Sequence, residues 1–187
     1  MVHNHFLFGL AMRTAFALQQ ALGIRGDATI AIQAVNAVSA AIAGGLFFLL
    51  ALRLGVPKWI SLAVTVGVCL SPVYLLAATN VAEVALALPF FLGTLLVLAD
   101  QEFLQLSAIV AGMLVGLAAI TYLLAGSLVP CVAAAVVVSR SPSRLTIKAL
   151  ILFLSSFCLV FLGIWVAVLY FSGFHSPSSL VIAILRF

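Results

Sequence analysis

Residues 29–52, TIAIQAVNAVSAAIAGGLFFLLAL, form a run of 24 uncharged residues that lies between Asp27 and Arg53. At about 1.5 Å per residue, a helix of this length crosses the roughly 30 Å hydrocarbon layer of a membrane. The whole chain has the same character, since 66% of its 187 residues are hydrophobic, 6% are charged and the mean hydropathy is +1.41. Soluble domains contain about 25% charged residues. The composition therefore predicts an integral membrane protein and excludes a soluble enzyme or a nucleic-acid-binding domain.

Charged residues interrupt the apolar runs and so delimit the other spans. Residues 103–139 contain 37 uncharged residues, too many for one span, and Thr, Tyr, Gly and Ser cluster between residues 121 and 127. We divide that run in two and predict an all-α fold, a polytopic transmembrane helical bundle of about six spans. The predicted spans are residues 29–52, 59–80, 83–99, 103–121, 125–139 and 149–171.

Residues 1–26 predict an amphipathic helix on the outer membrane surface, followed by a transmembrane domain at residues 27–187. His5, Arg13, Gln19 and Gln20 fall within about a third of a turn on a 3.6-residue wheel, and most of the other side chains are apolar. A helix with this pattern lies in the membrane interface. The alternative is a frayed first span that packs against the other spans.

The distribution of Lys and Arg predicts the orientation, because these residues accumulate in cytoplasmic loops. Six crossings place five basic residues on one side and three on the other, which makes the first side cytoplasmic and both termini external. The cytoplasmic group is Arg53, Lys58, Arg140, Arg144 and Lys148, and the external group is Arg13, Arg25 and Arg186.

A series of motifs resembles segments of the polytopic GT-C glycosyltransferases. The first motif is a His-containing start before an Asp and an Asn-Ala-rich span, here His5-Phe6-Leu7-Phe8 with Asp27 and residues 32–41. The second motif is a Leu-Ser-Pro turn before an outer acidic residue, here Leu70-Ser71-Pro72 with Glu83. The third motif is a Gly-rich span that ends in Thr and a polar residue, here residues 111–122. The resemblance covers roughly residues 3–138.

The resemblance implies a membrane-embedded transferase that takes a sugar from a polyprenyl-phosphate carrier at the outer face of a bacterial cytoplasmic membrane. The acidic base of the family's first outer loop has no counterpart here, and Tyr122 replaces the family's common His or Lys. We therefore assign no catalytic residue and expect either an N-terminally incomplete chain or one that has lost the chemistry and keeps the fold. In both cases the chain alone should be inactive. Its expected partners are membrane lipid and a polyprenyl-phosphate sugar, with no nucleic acid.

Glu83, His5, Arg13 and Asp27 are the candidate substrate-binding residues at the predicted outer face. Carboxylate oxygens suit hard divalent cations, so Glu83 is also the candidate metal ligand and a divalent cation is the candidate cofactor. The Arg13 guanidinium suits a phosphate. Each residue has a structural alternative: a helix-start acid at Glu83, an interfacial residue at His5, a headgroup anchor at Arg13 and a helix N-cap at Asp27.

A second class of function stays open, a non-catalytic integral membrane subunit or a small transporter. The three cysteines, Cys69, Cys131 and Cys158, have no Cys or His at ligand spacing and are interpreted as packing residues. The pairs Ala40–Gly44 and Gly112–Gly116 have the spacing that lets two helices approach closely, and the polar Gln33 and Asn36 are predicted to turn inward between helices, as such side chains do in lipid.

The predicted orientation is testable by cysteine labelling in intact cells. In a variant that lacks the native cysteines, a single cysteine near Arg144 should be protected from an impermeant thiol reagent, because it lies in the cytoplasm. A cysteine near His175 should react. The reverse pattern would contradict the orientation and the outer-face site with it.

Overall fold

The computed structural model describes residues 6–79, 83–99, 104–122 and 144–171, and all regular secondary structure in these ranges is helical. This confirms the all-helical prediction. The predicted span at residues 125–139 and the candidate residue His5 lie outside the described residues. The helices are α1 (Phe6–Ala21), α2 (Ala28–Arg53), α3 (Lys58–Cys69), α4 (Pro72–Thr79), α5 (Glu83–Leu98), α6 (Leu104–Thr121) and α7 (Arg144–Phe171).

Two described helices are long and apolar enough to cross a membrane, α2 over Ala28–Arg53 and α7 over Ile147–Ala167. A third crossing is present if α3 and α4 together count as one bent span. Helices α5 and α6 have 16 and 18 residues, or about 24 and 27 Å, which is short of a roughly 30 Å hydrocarbon layer. The described helices are therefore compatible with a membrane protein, whereas the number of about six spans is not confirmed.

The predicted span at residues 59–80 is not one continuous helix, because it is broken into α3 and α4 with a bend of 61°. Pro72 has no N–H group for the helical ladder, and it disfavours helical geometry in the residue before it. The hydroxyl of that residue, Ser71, accepts a hydrogen bond from the backbone N–H of Tyr74 at 3.3 Å and so caps the start of α4. The Leu-Ser-Pro motif is thus a turn within the apolar run.

Helices α6 and α7 pack in parallel. A Cβ atom added at Gly112 would lie 2.3 Å from the carbonyl oxygen of Phe153, and one added at Gly116 would lie 3.3 Å from that of Phe157. A step of four residues along α6 thus matches a step of four in the same direction along α7. The end of α6 and the start of α7 consequently lie at opposite ends of this helix pair.

Helix α5 runs antiparallel to α6. Gly93 of α5 faces Leu114, and the end of α5, at Val97 and Leu98, packs against a cluster that includes Ala108 near the start of α6. The cluster joins three helices through small residues and one large aromatic ring. Its buried members are Ala108, Ala111, Val115, Ala149 and Phe153.

Gly112→Ala should destabilise the bundle, because the new Cβ atom would also lie 2.1 Å from Oγ of Ser156. The nearby Phe153 carbonyl belongs to the backbone and cannot move without shifting α7, so we expect a loss of about 1–3 kcal/mol, typical of overpacking. Unfolding by SDS titration in mixed micelles would measure it.

Gly163→Ala on α7 is the matched control, because a Cβ atom there meets nothing within 4 Å. It should be neutral or stabilising by up to about 1 kcal/mol from helix propensity. Equal stability of the two variants would contradict the close approach of α6 and α7.

Candidate functional site

The starts of α2 and α5 and the end of α6 belong to the same end of the bundle. A Cβ atom at Gly44 would lie 2.9 Å from Sγ of Cys69 and 3.6 Å from the Tyr74 hydroxyl, which also contacts Ala40. The bent pair α3–α4 therefore runs antiparallel to α2. Helix α5 follows after three residues and α6 reverses again, so Asp27, Glu83 and Thr121 mark one end.

Asp27 caps the N-terminus of α2. Its backbone is extended, and its Oδ1 atom accepts a hydrogen bond from the backbone N–H of Thr29 at 2.9 Å. This contact satisfies one of the N–H groups that have no partner within the helix. Asp27 therefore acts as the helix N-cap that was predicted as its structural alternative, and one of its carboxylate oxygens is engaged in this hydrogen bond. Asp27 is also exposed, so its second oxygen is open to a ligand.

Helix α1 packs against α2 and α6, and its predicted polar face is only partly correct. Arg13 and Gln20 are exposed, whereas Gln19 is only 5% exposed. The Gln19 side chain lies against the linker between α1 and α2, where its Nε2 atom donates to the carbonyl of Ile24 at 3.4 Å. The helical wheel grouped these residues correctly by angle, but it did not include the packing of the linker against one edge of that face.

Glu83, the first residue of α5, and Asp27, the N-cap of α2, lie at one end of the bundle. Arg13 is eight residues before the end of α1, and His5 lies outside the described residues. Within the described ranges, no group of three or more His, Cys, Asp or Glu residues could hold a metal ion. The metal role of Glu83 stays a prediction.

The polar residues of α2 divide between the interior and the surface. Asn36 is fully buried and Ser39 is 6% exposed, as expected for polar side chains between membrane helices. Gln33 is exposed, so the prediction that it turns inward with Asn36 is wrong. The two residues are about 60° apart on the wheel, which is close enough to share a broad face but not its buried centre.

The contact between Tyr74 and α2 was not predicted from the sequence. The hydroxyl of Tyr74 donates a hydrogen bond to the carbonyl oxygen of Ala40. The signal was present, because the Ala40–Gly44 pair predicts a close neighbour and Tyr74 follows the Leu-Ser-Pro turn. Of the cysteines interpreted as packing residues, Cys69 contacts Gly44, whereas Cys158 is exposed on α7 and Cys131 lies outside the described residues.

Comparisons of the chain with protein-family models, with curated proteins and with solved structures found no match.

Replacing Asp27 tests whether its contribution to stability comes from the capping oxygen or from the negative charge. Asp27→Ala should lower the stability of the protein by about 0.5–2 kcal/mol, because it removes the acceptor for the Thr29 N–H group. Asp27→Ser keeps a capping oxygen and should retain most of that stability while removing the carboxylate. Thermal unfolding in detergent measures both. If Asp27→Ser were as unstable as Asp27→Ala, the cap would not be the source of the effect.

Proposed function

We propose that this chain is a multi-pass membrane protein that forms the carrier-lipid-binding part of a GT-C-like glycosyltransferase. Its ligand would be a polyprenyl-phosphate sugar at the outer face of a bacterial cytoplasmic membrane. The observation that carries the proposal is the meeting of three helix ends at one end of the bundle. These ends bear Asp27, Glu83 and Thr121, which belong to the three separate motifs of the resemblance.

The parallel packing of α6 and α7 supports six crossings. The end of α6 and the start of α7 lie at opposite ends of the pair, which is the arrangement that the predicted six-span topology requires. The 21 residues between Tyr122 and Arg144 include the predicted span at residues 125–139. The short helices α5 and α6 are then crossings in a bundle where neighbouring helices and local bilayer thinning accommodate their length.

The charges at the two ends of the bundle support the proposed orientation. Arg53 ends α2 and Lys58 begins α3 at the end opposite Asp27, and α7 begins at that same end with Arg144 and Lys148. Basic residues collected at one end are the pattern of a cytoplasmic side. The end with Asp27 and Glu83 is then external, where a lipid-linked sugar would be presented.

A non-catalytic membrane subunit is the second candidate function, favoured by the engaged carboxylate of Asp27. The Oδ1 atom of this residue serves the backbone of α2, which is a purely structural use of a candidate binding group. In this second function, the chain would pack and bind ordinary lipid without preference for a sugar carrier.

Glu83→Gln should weaken the binding of polyprenyl phosphate by about tenfold, which corresponds to about 1.4 kcal/mol. The substitution removes the charge through which a divalent cation would bridge the carboxylate to the phosphate. Insertion and thermal stability should change little, because a carboxylate at the membrane surface contributes little to packing. Competition with radiolabelled carrier lipid in nanodiscs, with and without magnesium, measures the affinity.

Asp100→Asn is the matched control, an acid-to-amide change on the predicted opposite face, and it should bind like the wild type. The wild-type chain alone should bind the carrier but transfer no sugar from it. Equal affinities of all three proteins would leave the non-catalytic function as the better account, and sugar turnover would contradict the expected inactivity.

A further inference from the structure

An open apolar groove of about 360 Å³ lies between α1 and α2. Its walls are mostly aliphatic, and Leu18, Leu22 and Val38 in these walls are more than half exposed. Along α2 the lining extends from Ile30 to Ser39, which is about 14 Å of helix. Half of the hydrocarbon layer measures about 15 Å. The groove therefore has the depth of one lipid leaflet.

The linker between α1 and α2 closes one end of this groove. A Cβ atom added at Gly26 would lie 2.6 Å from Cδ1 of Ile30 and 3.0 Å from Nε2 of Gln19, and both of these residues line the groove. The backbone of the linker thus packs directly against the groove wall. Arg25 immediately precedes Gly26 and is exposed, and Ile24 before it is part of the lining.

The linker places the exposed Arg25 beside the end of the groove where α2 enters the membrane. Its two charged residues are Arg25 and Asp27. The Asp27 carboxylate directs one oxygen to the backbone N–H of Thr29, where it offsets the positive end of the α2 dipole. The guanidinium of Arg25 has five donors arranged in a fork that matches phosphate oxygens.

We propose that the groove binds an acyl chain of an anionic phospholipid and that Arg25 contacts its phosphate. The surrounding lipid tails are as apolar as the groove, so the groove positions the chain while the headgroup charge creates the preference. A phospholipid has its phosphate at the interface and its chain in the hydrocarbon layer, in the same order as Arg25 and the groove. This site is independent of the proposed sugar carrier.

Lipid retention by the full chain tests the site. The protein, purified in detergent, is incubated with equal amounts of phosphatidylglycerol and phosphatidylcholine, and the bound lipids are counted by native mass spectrometry. The wild type should retain phosphatidylglycerol preferentially. Arg25→Gln should lower that retention about fivefold, the effect of removing one basic residue near an anionic headgroup, and should leave phosphatidylcholine unchanged. Lys58→Gln, an equal change of charge at the other end of the bundle, should alter retention less than twofold.

Filling the groove should remove the binding of both lipids. Ala34 lines the groove and is exposed, so Ala34→Phe fills the space without entering the core. Ala37→Phe is the matched control, because Ala37 is exposed on the same helix and is not among the lining residues. In the Ala34→Phe background, Arg25→Gln should cause no further loss of phosphatidylglycerol, since the two changes act on one bound molecule.

Three results would overturn the proposal. The first is unchanged retention of phosphatidylglycerol in Ala34→Phe or in Arg25→Gln. The second is a change from dimer to monomer caused by Ala34→Phe, which would assign the groove to a second copy of the chain. The third is complete displacement of phosphatidylglycerol by an equal amount of polyprenyl phosphate, which would assign it to a carrier lipid. Thermal unfolding of each variant distinguishes these results from a failure to fold.

Discussion

The close approach of α6 and α7 at Gly112 and Gly116 is the contact on which most of the described bundle depends. Lipid tails are as apolar as leucine, so membrane helices gain little from hydrophobic burial and associate through tight packing. The missing side chains at these glycines let α6 reach the backbone of α7 directly. Phe153 is then fully buried beside Ala108, and Phe91 of α5 packs against the same cluster. One stripe of small residues thus determines the positions of three helices.

Helix α2 has the corresponding role on the other side of the bundle, where it contacts α1, α3, α4 and α5. Backbone groups without a hydrogen-bond partner are costly in lipid, and at the break before Pro72 the N–H groups of Ser71 and Tyr74 bond to the Val68 carbonyl and the Ser71 hydroxyl. The Tyr74 hydroxyl in addition links the bent pair α3–α4 to α2, because it donates to the Ala40 carbonyl. Gly44 makes room for this contact beside Cys69. The same small residues therefore allow both close packing and a polar connection.

Helix boundaries could be predicted from the sequence because charged residues are expensive in hydrocarbon. The predicted span 29–52 differs from α2, Ala28–Arg53, by one residue at each end. The direction of Gln19 and Gln33 could not be predicted, since a helical wheel gives relative angles but not the neighbour that covers them. The parallel packing of α6 and α7 could likewise not be predicted from local sequence patterns, although the division of residues 103–139 into two predicted spans is compatible with it.

For the candidate site, the sequence predicts where the residues lie but not which hydrogen bonds they make. Alternating crossings were enough to assign Asp27 and Glu83 to one end of the bundle, but the capping bond of Asp27 depends on local backbone geometry. This bond and a binding role are compatible, because an ionised carboxylate has about four acceptor sites and Thr29 uses one. The exposed Arg25, two residues before Asp27, is the cationic group of the linker at this end of the α1–α2 groove. The hydrogen-bonding atoms that a membrane-surface site offers to a ligand therefore depend on which side chains are already engaged by the fold.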